Sequence, residues 1–351
     1  MNQTRVKSIL AMTMILIMVA SIFYSYSIPA TASDVTPGYR GKILIDYSHG
    51  QFKETAQYLD NLLAANLTEM GFEVVFLRGG INSTVLSDAT GLIVSGIYEP
   101  TNAILPAEVE AIAAWFNAGH KFLWVGYDSD YPTTTTGQWI LDNMTAILEA
   151  VGSHVYGEPT AVQDPVLNAG AAYRPIANGT SNDPVVASCV ANVGRVLVHS
   201  PTILYGSNSP TPGENVSPVA LEEVQIENVY PILYHSKNAT IVDSDTLYPY
   251  AHQDGQRGAF VSMTLELKAG AAKNGAIVVS GANPIGYYWP MTADFYYGQL
   301  RLTGFNLVLQ TIDFGITEAL KVQFDWTTII VIGGVVALVV IVAAVAIKLK
   351  K

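Results

Sequence analysis

Three consecutive stretches of this chain decide its fold: Gly91-Leu92-Ile93-Val94-Ser95-Gly96, a helical segment over 106–117 stopped by Gly119, and Lys121-Phe122-Leu123-Trp124-Val125-Gly126. The two flanking runs are apolar throughout and do not alternate with polar residues. Strands of that kind are covered on both faces, which is the habit of a parallel sheet. Pro106 stands in the first turn of the intervening helix and Gly119 just past its end, the asymmetry expected of helix termini. Upstream, Lys42-Ile43-Leu44-Ile45-Asp46 reads as a further strand. Tyr58, Leu59, Leu62, Leu63 and Leu67 then recur at helical spacing within 54–70, a pattern that ends at Gly71 before a strand at 72–77. The alternation predicts an α/β fold with a doubly wound, mostly parallel sheet of the flavodoxin-like kind. Downstream the pattern is less regular. Strands are expected at 195–199, 229–234, 259–265 and 276–280, separated by loop-rich stretches at 157–192 and 206–222, with a closing helix at 299–314.

The chain has 351 residues, 50% apolar and only 13% charged. Disordered chains are poor in hydrophobics and rich in charge, so that class is excluded. Ordinary soluble domains carry roughly 25% charge, so the apolar excess needs a location, and it lies at the two ends. Residues 1–32 have a basic start (Arg5, Lys7), an apolar stretch from Ile9 to Phe23 and Ala30-Thr31-Ala32 as a small-residue cleavage site, the layout of a secretory signal peptide. Residues 327–347 contain no charge and are followed by Lys348-Leu349-Lys350-Lys351. That length spans a bilayer as a transmembrane helix, and the lysines mark its cytoplasmic end. The expected organisation is a signal peptide at 1–32, an extracytoplasmic domain at 41–315, a linker at 316–326, a membrane span at 327–347 and a basic stub at 348–351.

Between the ends, residues 33–326 hold 13 Lys and Arg against all 29 Asp and Glu, a net charge of −16. So acidic a domain argues against binding nucleic acid or anionic lipid through a broad basic face. The single cysteine, Cys189, cannot form an internal disulfide. Six N-x-S/T sequons, at Asn66, Asn82, Asn143, Asn178, Asn215 and Asn238, are glycosylation candidates in a secreted segment. Few cysteines and many sequons together suit an archaeal cell surface.

In a parallel sheet, ligands meet the carboxyl ends of the strands. Those ends supply a rim of Asp46, Tyr47, Ser48 and His49, then Ser95 and Tyr98, then Tyr127, Asp128 and Asp130, and finally Ser280 and Asn283. Hydroxyls, carboxylates and rings in such a place suit a polar ligand or a partner loop. They equally suit local turns and helix caps. Tyr47, Tyr98, Tyr127 and Tyr131 are the rings that would stack on a sugar-like ligand. Ser48, His49 and Asp46 are triad ingredients, but neighbours in sequence seldom align for that chemistry, and no G-x-S-x-G is present. Asp128-Ser129-Asp130 lacks the spacing of a calcium loop. His252-Gln253-Asp254 is a candidate polar pair, while H-E-x-x-H and paired C-x-x-C are absent, so no metal or cofactor is expected.

The strand ending in Asp46, the Gly71-Phe72 strand after its helix, "GLIVSG", "AIAAWFNAG" and "KFLWVGYDSD" together resemble the glutamine-amidotransferase-like domain family, also called GIFT or DUF4350-like. In active class I members the turn after the last of these strands carries the nucleophilic cysteine. Here the resemblance puts Tyr127 in that place, which implies a catalytically dead domain. Pro201-Thr202-Ile203, Pro231-Ile232-Leu233 and "GAIVVSGANP" resemble the non-catalytic GIFT-domain subunit of oligosaccharyltransferase. Auxiliary proteins of gliding-motility-type ABC transporters are a second similar group. The resemblance implies a partner that is an integral membrane complex, either a glycosyltransferase or a transporter permease. A membrane-anchored scaffolding subunit is thus the leading expectation, an anchored sugar receptor the second, and a hydrolase using Ser48 or Asp128 the third.

Overall fold

The computed structural model describes residues 38–321 apart from 52–55, 98–99, 132–135 and 244–246. The signal peptide, the membrane span, the basic stub and Tyr98 therefore lie outside the described residues. Among the described residues, no helix is long and apolar enough to cross a membrane. Residues 39–321 form one compact unit.

Eight strands make the central sheet: β1 Gly41–Asp46, β2 Phe72–Leu77, β3 Ala89–Val94, β4 Phe122–Gly126, β5 Gly179–Thr180, β6 Val229–Tyr234, β7 Val261–Ala269 and β8 Gly275–Ser280. Their order across the sheet is β2-β1-β3-β4-β8-β7-β6-β5. The first five in that order run parallel, and β7, β6 and β5 continue the sheet antiparallel. The parallel expectation holds where helices intervene. It fails at β7–β8 because only Gly270–Asn274 join those strands, far too few residues for a crossover.

Among the described residues, the four long helices cover the two faces: α1 Gln57–Glu69, α2 Pro106–Asn117, α3 Thr136–Val151 and α4 Gly304–Leu320, with one further α-helical turn at Ser83–Leu86. Successive strand residues point to opposite sides, so each strand feeds two cores. Leu44, Leu92, Leu123, Val125 and Val279 pack with Ile112, Phe116 and Leu148 of α2 and α3. Ile43, Ile45, Ile93, Trp124 and Val278 pack with Leu63 and Leu67 of α1 and Leu307, Val308 and Ile312 of α4. This is the doubly wound layout expected from the continuous apolar runs. Gly71 and Gly119, which follow α1 and α2, take the left-handed conformation at φ 97° and 90°, as helix stops do.

Several elements differ from expectation: the strands expected at 195–199 and 259–265 are Val196–Leu197 and Val261–Ala269, and the expected loop stretches 157–192 and 206–222 contain short strands. Helix α3 is absent from the sequence expectation, although Leu141, Met144, Ile147, Leu148 and Val151 recur at helical spacing and Gly152, at φ 78°, stops it. The closing helix starts at Gly304, not 299, because Tyr296–Tyr297 and Leu300–Arg301 pair as a small hairpin. It then runs on to Leu320, so the first part of the expected 316–326 linker is helix and the domain extends to 321. The N-terminus of α4 sits hard against the chain, since a Cβ on Gly304 would lie 1.8 Å from the Met291 carbonyl oxygen. Gly304→Ala is expected to lower stability by about 1–3 kcal/mol, the usual cost of forcing atoms into a packed site. A denaturant midpoint equal to wild type would show that this contact is easily relieved.

Candidate functional site

The carboxyl end of β1 builds a buried polar cluster. Asp46 is the last residue of the strand and is fully buried. Its Oδ1 accepts from the Ser48 backbone N–H at 2.9 Å and the Ser48 hydroxyl at 2.5 Å. Its Oδ2 meets His49 Nδ1 at 2.7 Å and the Gln51 side-chain amide at 2.7 Å. The other imidazole nitrogen, Nε2, lies 3.0 Å from Oε2 of Glu108 on the first turn of α2. Burial opposes a charge on His49, but the hydrogen bonds and charges of Asp46 and Glu108 outweigh it and hold its pKa up at about 9. His49 is therefore an imidazolium pinned between two carboxylates.

Ser48, His49 and Asp46 do meet, against the expectation that neighbours would not align, and Ser48 Oγ lies 3.1 Å from His49 Nδ1. The roles are not those of a triad. A protonated imidazole with a carboxylate at each nitrogen has no lone pair to take the Ser48 proton, which is what a general base must do.

At the neighbouring strand ends, polar groups again satisfy one another. Asn283 Oδ1 accepts from the Gly96 backbone N–H at 2.6 Å, and its amide reaches Asp128 Oδ2 at 3.4 Å. Asp128 Oδ1 accepts from the Ser129 backbone at 2.7 Å. The hydroxyls of Ser129 and Ser200 are 3.0 Å apart. Ser95 donates to the Ile285 carbonyl, and Ser280 to that of Ala282 while accepting from the Trp124 indole. The buried rim residues are Asp46, Tyr47, His49, Ser95, Tyr127, Asp128, Asp130, Ser280 and Asn283, with Ser48 half-buried.

The tyrosines divide. Tyr127 is fully buried beneath the sheet end, its phenol 2.9 Å from Thr145 Oγ1 in α3, so its side chain is turned into the core and away from the rim. Tyr47 is buried as well, donating to Asp60 of α1 and packed against Phe76. Only Tyr131, of those described, is exposed. The four-ring stacking platform expected from the sequence is therefore not formed by Tyr47 or Tyr127.

Sequence reading missed Glu108 and Ser200. Glu108 did carry a signal: an acid two residues after Pro106 is where a helix-capping carboxylate stands, and its Oε2 accepts from the Leu105 backbone at 2.9 Å. A second clamp repeats the first. His252 lies between Glu158 at 2.8 Å and Glu222 at 3.1 Å, and these two carboxylates overcome burial to raise it to about 9. The expected partnership of His252 with Asp254 is replaced by this pair, and Asp254 instead accepts from the Asp243 backbone. Among the described residues, no group of three His, Cys, Asp or Glu is placed to hold a metal ion. Of the sequon asparagines, Asn82 and Asn178 are exposed. Asn66 and Asn143 donate their amides to Leu62 and Trp139 one turn earlier in their helices. The Asn215 and Asn238 carbonyls accept from Tyr205 and Arg257.

The sheet order, with helices on both faces and polar turns at the carboxyl ends, defines a doubly wound α/β domain. Among solved structures, the mmIFT52 N-terminal domain has this fold, with a TM-score of 0.50 and 13% identity over 80% of this chain and 100% of that one. A ThuA-like protein from Bacteroides uniformis is similar at a TM-score of 0.39 and 13% identity, covering 83% of this chain and 95% of that one. A ThuA-like protein from Parabacteroides merdae is similar at 0.38 and 10% identity, covering 81% and 92%. No family model matches the chain. No curated protein matches it either.

Proposed function

We propose that this chain is a non-catalytic, membrane-anchored extracytoplasmic subunit that binds or scaffolds a partner membrane complex, either an oligosaccharyltransferase-like machine or a transporter. The observation that carries this reading is the state of the strand-end residues. The groups an enzyme of this fold would present to a substrate are buried, and they hydrogen-bond to one another and to the backbone. Such a cluster ties turns together and leaves no free nucleophile beside a free base. The signal and anchor patterns of the sequence support an extracytoplasmic setting, and the −16 charge of residues 33–326 supports a protein partner over nucleic acid.

Purification of the full chain from native membranes in mild detergent tests the proposal. A stable integral membrane protein should co-purify in fixed stoichiometry and persist through size exclusion. Recovery of the chain alone would overturn it. So would a hydrolytic activity of the chain that Asp128→Asn removes.

A further inference from the structure

The loop between β8 and α4 carries a dense set of aromatic rings away from the buried strand-end cluster. Leu59 of α1 and Tyr288, Trp289, Pro290, Ala293 and Phe295 of this loop line a cavity of about 250 Å³. Tyr288 is 52% exposed and Phe295 36%, so the walls face solvent. The Tyr288 and Trp289 ring centres are 6.5 Å apart, and those of Trp289 and Phe295 5.8 Å. From these features we infer that the cavity is a binding site for one neutral pyranose ring, an inference that goes beyond the scaffolding role.

Three arguments select that ligand. The lining residues are aromatic or aliphatic, and among their side chains Tyr288 and Trp289 each carry one hydrogen-bonding group, a phenol and an indole N–H. A pyranose has apolar C–H faces to lie on rings and hydroxyls at its edge to meet such groups, which is the balance a small-molecule site needs. The volume equals that of roughly eight waters at liquid density, enough for one ring and its hydroxyls and too little for a peptide segment, which takes an extended groove. Among the described residues, no charged side chain lines the cavity, and the acidic domain around it disfavours an anion.

The walls are also held in place before any ligand arrives. The Arg174 guanidinium lies 5.2 Å from the ring centres of both Trp289 and Tyr173. Trp289 packs on a small core of Ala169, Ile176, Leu197, Ala293 and Leu302. At the start of the loop, the Gly286 backbone N–H donates to buried Asp60 at 2.8 Å, which fixes the loop to the helix that supplies Leu59. Pre-set walls spare the ligand the cost of ordering them.

The test titrates the full chain in lipid nanodiscs, free of sugar-headed detergent, with the methyl glycosides of glucose, mannose and N-acetylglucosamine. Tryptophan fluorescence and saturation-transfer NMR serve as readouts. At least one glycoside should bind saturably, with a Kd on the order of 1 mM for so small a ligand. Tyr288→Ala and Phe295→Ala, both at exposed rings, should weaken it at least tenfold with Tm unchanged. Tyr58→Ala, an exposed ring outside the lining, should leave it unaltered. Absence of saturable binding by all three glycosides overturns the inference, as does binding that ignores both cavity variants. Should Tyr288→Ala instead release a co-purifying protein while no glycoside binds, the cavity is a protein-docking surface and the sugar site is refuted. Sugar binding without any membrane partner would leave this inference standing and remove the scaffolding one.

Discussion

Glu108→Ala is expected to lower the unfolding free energy by about 3–5 kcal/mol, the cost of stranding the partner of a buried ion pair. One carboxylate here joins three segments. It accepts from the Ile81 backbone after β2 at 2.7 Å, from the Leu105 backbone at the start of α2 at 2.9 Å, and from His49 after β1 at 3.0 Å. Removing it takes the acceptor from two backbone donors and from one side of an imidazolium in a largely buried site. Glu108→Gln keeps an acceptor for one amide but loses the charge, so its cost should be smaller, at roughly 1–3 kcal/mol. Urea titration reads both as shifts in midpoint at constant slope. A loss below about 1 kcal/mol for the alanine variant would mean that water replaces the carboxylate, and the clamp would then contribute little.

The second large effect is the pH dependence of stability. His49 and His252 ordinarily titrate near 6.5, and their carboxylate pairs raise both to about 9 in the folded chain. The folded state thus holds more protons than the unfolded state between these values. Their stabilisation is complete below pH 6.5 and is lost as pH rises to about 9. Two such groups give a slope of about 2.7 kcal/mol per pH unit at most, which solvent screening reduces. His154, raised by its 2.7 Å bond to Glu266, acts in the same direction. On the acid side the sign reverses. Burial pushes His199 and His235 down to about 4, so the unfolded chain gains their protons first and stability falls as pH drops below 6.5. Asp60, raised to about 6 chiefly by burial, offsets part of that fall. A maximum near pH 6.5 should therefore appear in denaturant midpoints measured from pH 4 to 10. His252→Gln should reduce the alkaline slope by about one proton's share. A flat profile between 6.5 and 9 would show that neither clamp holds its charge.

The parallel half of the fold was legible because burial on both faces writes itself as unbroken apolar runs. β1 to β4 and α2 appear in the structure within two residues of where Ile43, Phe72, Leu92, Pro106 and Phe122 placed them. Beyond β4, β6 and β8 also fall within one residue of the expected 229–234 and 276–280, but many of the other strands are only two or three residues long and their partners are far off in sequence. β5, for example, has only two residues and is a strand by virtue of pairing with β6. The clamps were illegible for a related reason. Asp46 and His49 lie three residues apart, but the closing Glu108 lies 59 residues from His49, and Glu158 lies 94 from His252. No local pattern states which acid will face which histidine. Tyr127 illustrates the remaining difficulty, since a position along a strand does not tell which way the next turn aims its side chain.

The pairing of β4 with β8 has a consequence for how the chain is made. Phe122 lies opposite Ala276 and Gly126 opposite Ser280, so the central strand acquires its second neighbour only after roughly 150 further residues have been synthesised. At ordinary elongation rates of about 5–20 residues per second, that wait is on the order of 8–30 s. Throughout it, the apolar Phe122-Leu123-Trp124-Val125 segment is an open strand edge, the feature most prone to pairing with other chains. The nascent protein thus depends on a holding factor or on rapid collapse of its first half, and truncation before residue 275 should yield aggregates where the whole chain yields a folded domain.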